Sequence, residues 1–198
     1  MKINEGELDR MLSFMLKADR MKEIKRTGWV WAGVKEPEHD GDHSFSVALM
    51  SYLIAKRLRL DADKCMRMGL IHDIGEVITG DIPSRADEKM QKVSSQMKKR
   101  LGNKSTIKML SYLDDFNSKE FIRLWKELEE EKTQEAKLVK QIDKLDYIMQ
   151  ISIYSKQIKS DKKFEEFFIS AAKKIHSPEL RYLFDKIKKK AFAERKIK

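Results

Sequence analysis

The sequence predicts an all-α protein, a helical bundle of roughly eight to ten helices, and three observations carry that expectation. Apolar residues recur at helical spacing through most of the chain. No stretch alternates apolar and polar residues for long enough to suggest a sheet. Chain breakers are scarce, with 3 prolines and 8 glycines in 198 residues.

Leu8, Met11, Leu12, Met15 and Leu16 fall at i, i+3, i+4, i+7 and i+8, which predicts a first helix with one buried stripe. Residues 25–42, KRTGWVWAGVKEPEHDGD, break that pattern and predict a loop punctuated by Gly28, Gly33, Pro37 and Gly41. Asp42 is placed to cap a central helix from about His43 to Leu58, apolar on nearly every face. Asp61 is the next N-cap, of a helix running to about Gly75. ITGDIPS then turns at Gly80 and Pro83. A polar, Lys-rich helix is expected over residues 86–101. Another over 118–131 carries Phe121, Leu124, Trp125 and Leu128 on one face, and a long one over 133–158 carries Leu138, Ile142, Leu145 and Met149. Two Lys-rich helices close the chain. No repeat, low-complexity segment or clean boundary interrupts it, so a single domain over 1–198 is expected, with a C-terminal helical extension from about residue 160.

The chain carries 42 basic and 32 acidic residues, a formal charge of +10. Such an excess attracts phosphate esters, nucleic acid or an acidic membrane surface. Most of the Lys and Glu is spread over helix faces, where solvated surface is the simpler reading. Cys65 is the only cysteine, which excludes an internal disulfide and a Cys-based zinc cluster and fits a reducing cytoplasm. The opening MKINEGELDRMLSFML has no apolar signal core. The longest apolar run, FSVALMSYLIA at 45–55, is too short to cross a bilayer. A soluble cytoplasmic protein without a membrane partner is therefore expected. Several apolar helix faces exceed what one small bundle must bury, which points to a homodimer.

Four histidines occur, at 39, 43, 72 and 176. His43 and His72 sit in apolar helices, and His72 is followed by Asp73. A buried carboxylate is costly unless it is paired or holds a metal. Imidazole nitrogen and carboxylate oxygen together suit first-row divalent ions. Neighbouring side chains on a helix diverge by about 100°, so His72 and Asp73 need partners from other helices. His43 is one. Asp143 and Asp146, near the apolar stripe of the long helix, are both candidates for another, and periodicity does not choose between them.

His43, the His72-Asp73 doublet and Asp143 resemble the H…HD…D signature of HD-domain phosphohydrolases. HDIGEVITGD at 72–81 is more specific, and resembles the HDxxExxxGD segment of the HD-domain 5'-deoxynucleotidases. RTGWVWAGVKEPEHDGDHS upstream and VKQIDKLDYIMQ downstream resemble the same subfamily. The likeness spans roughly residues 10–155. It implies an HD-domain bundle in which His43, His72, Asp73 and Asp143 hold one divalent metal ion (Co, Mn, Mg, Ni, Fe or Zn), and it favours Asp143 over Asp146. Glu76 resembles the family's acid/base residue. Asp81 resembles its second carboxylate, for water positioning or leaving-group protonation. Arg26 is the expected phosphate partner and Trp29 the expected wall against deoxyribose. Thr27 and Gly28 separate the two, where some members have Arg and Trp adjacent, so Lys25 competes for the phosphate and Trp31 for the wall.

The implied activity is a metal-dependent phosphomonoesterase on deoxynucleoside 5'-monophosphates. One alternative keeps the metal and changes the substrate: a dNTP triphosphohydrolase or a nucleotide phosphodiesterase, with KVSSQMKKR at 92–100 supplying extra cations. Another is a non-catalytic nucleotide- or nucleic-acid-binding helical protein. The lysines lack the aromatic interleaving that stacks single strands, which argues against nucleic acid as the partner.

Overall fold

In the computed structural model, residues 3–83 and 93–196 are described, and every regular element among them is helical. Ten α-helices follow in order: α1 Glu5–Ala18, α2 Thr27–Ala32, α3 Asp40–Leu58, α4 Ala62–Ile71, α5 Glu76–Thr79, α6 Ser95–Leu110, α7 Asp115–Glu130, α8 Gln134–Tyr154, α9 Asp161–Ala172 and α10 Pro178–Lys196. A 3-10 turn, Asp19–Lys22, joins the first two. The all-α expectation holds. The sequence-predicted helix over 86–101 falls partly on residues 84–92, outside the described ones; the described helix there extends on to Leu110.

Helices α3, α4 and α8 form the centre. Val47, Met68, Ile142 and Leu145 are fully or almost fully buried among them. At the α3–α4 crossing a Cβ on Gly69 would lie 2.7 Å from Ala48 Cα and 2.9 Å from Ala48 N. Only glycine permits that approach, because backbone rather than a movable side chain is in the way. Helices α7, α9 and α10 pack on α8 from outside.

Three sequence expectations change. First, residues 25–42 are not simply a loop. Thr27–Ala32 forms a helical turn, closed at Gly33 in the left-handed region with φ 85°. An isolated antiparallel bridge, Lys25 to His39, then returns the chain to α3. Arg26 N donates to Glu38 O at 3.0 Å and Asp40 N to Ile24 O at 2.9 Å. Second, α3 starts at Asp40, with His39 as N-cap and Asp42 as the reciprocal acceptor of a capping box. Third, α1 buries no residue, although a buried stripe is predicted there. Leu8, Leu12, Met15 and Leu16 are 49–65% exposed. The stripe has the right period, but the bundle offers α1 only a narrow seat through Phe14 and Ala18. Helix α3 is likewise one-sided: Val47, Ser51 and Ala55 are buried while Phe45, Leu49 and Leu53 are exposed.

Asp61 caps α4 as expected, accepting from Lys64 N at 2.9 Å. The helix ends at Ile71 rather than at Gly75.

Gly69→Ala should force α3 and α4 apart and destabilise the fold by about 1–3 kcal/mol, the range for overpacking. Denaturant unfolding of the two proteins checks this. An unchanged midpoint would mean that the crossing is looser than the distances imply.

Candidate metal centre

Two imidazoles meet between α3, the end of α4 and α8. His43 is fully buried. Its Nε2 lies 3.2 Å from His72 Nε2 and 3.3 Å from Asp143 Oδ1. Asp73 Oδ2 is 3.2 Å from His72 Nε2 and 3.9 Å from His43 Nε2. His43, His72 and Asp73 thus bring one ligand atom each close together, and Asp143 reaches His43 Nε2 from α8.

The outward nitrogens decide what those inward atoms are. His72 Nδ1 faces Gly69 O at 2.7 Å. A carbonyl only accepts, so Nδ1 carries the hydrogen and Nε2 of the neutral ring is a bare lone pair. His43 Nδ1 faces the buried Asp146 Oδ2 at 2.6 Å, and donates to it by the same reasoning. Two imidazoles so oriented would point lone pairs at each other across 3.2 Å. A cation between them removes the conflict. The residues therefore fit a divalent metal: two imidazole nitrogens and two carboxylate oxygens, with each imidazole held from behind.

The electrostatics agree. Burial opposes ionisation of Asp73, but His72, Arg26 and His43 outweigh it and hold the carboxyl well below the usual range. Burial likewise opposes ionisation of Asp143, and Lys144 and His43 overcome it. Burial and Arg26 work against charging His43, yet Asp143 and Asp146 push its pKa up to about 9. The site draws positive charge to this point even when only a proton can supply it.

Around the cluster lie further acids. Glu76 opens α5, and burial, then the charges of Asp73, Asp81 and Asp40, raise its pKa well above the carboxylate norm. Its Oε2 is buried without a hydrogen-bond partner. Asp40 is fully buried and also leaves one oxygen unpartnered. Asp81 Oδ2 accepts from Thr27 N at 2.5 Å, and Thr27 Oγ1 donates to Asp81 O at 2.8 Å. These bonds tie the α5 loop to the start of α2.

Arg26 is 9% exposed, and its Nη1 reaches Asp73 at 2.8 Å and Asp40 at 3.3 Å. It lines the cavity beside the cluster while holding these acids together. Lys25 is exposed and does not line that cavity.

Trp29, expected as a cavity wall, lies beneath the wall instead. It is fully buried, its Nε1 donates to Glu38 Oε1 at 2.8 Å, and its ring stacks on Tyr147 with centroids 4.3 Å apart. Sequence alone sees a tryptophan in a Gly-rich stretch and cannot see that α2 turns it inward. Trp31, the competitor, does line the cavity, with Tyr147 and Phe167.

The cavity encloses about 220 Å³. Its cationic lining includes Lys144, whose Nζ is 2.9 Å from Asp143 Oδ2, and Lys174. Sequence reading missed Tyr147, Asp40, Lys174 and the α9 wall, none of which carries a local signal.

A family model described as HD domain matches residues 18–188. The chain is 36% identical to 5'-deoxynucleotidase HDDC2 of Danio rerio over 173 residues, 87% of this chain and 84% of that one. It is 34% identical to 5'-deoxynucleotidase HDDC2 of Homo sapiens, covering 86% of this chain and 80% of the relative. A conserved hypothetical protein from Pyrococcus furiosus superposes with a TM-score of 0.69 at 28% identity, over 90% of this chain and 99% of that one. A predicted metal-dependent phosphohydrolase from Magnetospirillum magnetotacticum shares the fold, with a TM-score of 0.68 at 22% identity over 95% of this chain and 98% of that one.

Asp146→Asn should leave the helical content intact and weaken retention of a divalent ion by about 10–100-fold, the usual effect of losing a carboxylate behind a ligating imidazole. Titration of metal-stripped protein reads this directly. Equal affinity in the two proteins would remove Asp146 from the role of orienting His43.

Proposed function

The chain belongs to the HD-domain family, and from that premise we propose that it is a metal-dependent 5'-deoxynucleotidase, hydrolysing deoxynucleoside 5'-monophosphates to deoxynucleoside and phosphate. The observation that carries this reading is the cluster of His43, His72 and Asp73, with Asp143 against His43, beside a cavity with a mixed cationic and aromatic lining that Asp73 and Asp143 enter. The relatives named above as 5'-deoxynucleotidases support the substrate class.

In this reading His43, His72, Asp73 and Asp143 hold one divalent ion, which supplies Lewis-acid charge to a phosphoryl oxygen when bound. Lys144 and Lys174, with Arg26 behind them, attract the phosphate and fix its orientation. Burial and the charges of Asp73, Asp81 and Asp40 raise the pKa of Glu76 well above the carboxylate norm. The residue is thereby equipped to protonate the departing 5'-oxygen as a general acid. Asp81 is held by Thr27 at the cavity edge and accepts a proton from the attacking water. Tyr147, backed by Trp29, offers the flat apolar wall. A ribose 2'-hydroxyl pressed there would lose its hydrogen bonds to water without a replacement, which disfavours ribonucleotides.

A second cavity on the other side of the cluster is lined by Lys98, Lys99 and Lys140. Those cations favour a triphosphate as the alternative substrate. Lys92, from the same basic stretch, lies outside the described residues.

No helix among the described residues is long and apolar enough to cross a membrane. The exposed apolar residues of α1 and α3 support a second copy of the chain as partner. The buried free thiol of Cys65 suits a reducing cytoplasm.

Phosphate release is to be measured on dNMPs, NMPs, dNTPs and cyclic nucleotides, with stripped protein reloaded with Co, Mn, Mg, Ni or Zn. Release from dNMPs well above NMPs and dNTPs is the expected result. Release mainly from triphosphates would move the assignment to the second cavity's lysines. No release with any metal would end the enzymatic reading.

A further inference from the structure

One wall of the cavity is built by α9, which packs beside α2 through Phe167 and Lys163. Glu166, Phe167, Ser170 and Ala171 all line it. Glu166 and Ser170 are one helical turn apart and share a face.

Five carboxylates line this cavity: Asp73, Glu76, Asp81, Asp143 and Glu166. Asp73, Asp81 and Asp143 are engaged by specific partners, and Glu76 lies near Arg26 with Oε2 buried and unpartnered. Asp73 and Glu76 face Arg26, Asp81 caps Thr27, and Asp143 pairs with Lys144 and His43. Glu166 makes no ion pair or hydrogen bond within the described residues. Lys162 and Lys163 lie one turn back on the same helix. Lys162 is exposed, and Lys163 is diverted: its Nζ donates to Trp31 O at 2.7 Å and sits 4.6 Å over the Trp31 ring. Lys163 thus holds Trp31 at the cavity edge rather than pairing with Glu166. An acceptor-only group is thus left facing a space bounded by Trp31, Tyr147 and Phe167.

With its phosphate at the metal centre and its deoxyribose against Tyr147, a deoxynucleoside monophosphate extends its base toward Trp31, Phe167 and Glu166. A carboxylate there accepts two parallel hydrogen bonds and donates none. Guanine offers two adjacent donors, its ring N–H and its exocyclic amino group. Thymine offers one N–H flanked by two carbonyl oxygens, which a carboxylate repels. Adenine and cytosine each offer an amino group beside a bare ring nitrogen. We propose that Glu166 reads the base, favouring deoxyguanosine monophosphate and disfavouring thymidine monophosphate. This inference rests on the deoxynucleotidase reading and goes beyond it.

The test uses the full chain loaded with metal. kcat/KM is measured for dGMP, dIMP, dAMP, dCMP and dTMP with the parent protein, Glu166→Gln and Glu166→Ala. The expected order puts dGMP first and dTMP last, with dIMP below dGMP because it lacks the amino group. Glu166→Gln should cost dGMP about tenfold or more, the scale of one charge-assisted hydrogen bond, and leave dTMP unchanged or improved. Calorimetric binding of deoxyguanosine and thymidine gives the same comparison without turnover. The variants should melt with the parent, since Glu166 holds no partner in the fold. Equal turnover of all bases, or a ranking that survives both substitutions, overturns the inference and leaves the deoxynucleotidase reading standing. If no dNMP is hydrolysed, both fall together.

Discussion

Two imidazole nitrogens facing each other across 3.2 Å, with Asp73 and Asp143 against them, are the constraint on which the rest of the site depends. His72 cannot turn its bare nitrogen away, because Gly69 O holds the opposite one. His43 cannot either, because Asp146 holds its far side. Such an arrangement is stable only if positive charge stands between the rings and the carboxylates of Asp73 and Asp143. Burial raises the cost of leaving that charge out. The cluster is therefore shaped for a cation by its outer hydrogen bonds as much as by its inner atoms.

Those outer bonds are set by packing. Gly69 brings the α4 backbone against Ala48, and its carbonyl accepts from His72 one turn on. The Lys25–His39 bridge closes the α2 excursion, which brings Arg26 back beside Asp40. Arg26 then joins Asp73 and Asp40 with a single nitrogen. Asp81 reaches across to cap α2. The acidic groups around the metal centre are thus held by elements that are far apart in the chain.

Much of the centre was legible because its chemistry is carried by rare residue types. Only four histidines exist, and two of them sit in apolar helices, one beside an aspartate. What periodicity could not choose, Asp143 against Asp146, the structure divides by role: one faces Nε2 of His43 and the other Nδ1. The illegible parts depend on tertiary contacts. Trp29 and Trp31 are two residues apart, yet one is sealed under Tyr147 and the other lines the cavity. The α1 stripe has a buried helix's period, but among the described residues nothing buries it. Glu166 looks like any helix-surface glutamate until Lys163 is seen to be engaged by Trp31.

The most direct test of the central claim is an anomalous difference map from a crystal of the metal-loaded protein, collected at the metal's absorption edge. One peak is expected, within about 2.0–2.3 Å of His43 Nε2, His72 Nε2 and an oxygen each of Asp73 and Asp143. Two other trios of candidate ligands lie close by: Asp40, Asp73 and Glu76, and Glu38, His43 and Asp146. A peak centred on either of those, with the two Nε2 atoms still bare, would contradict the account.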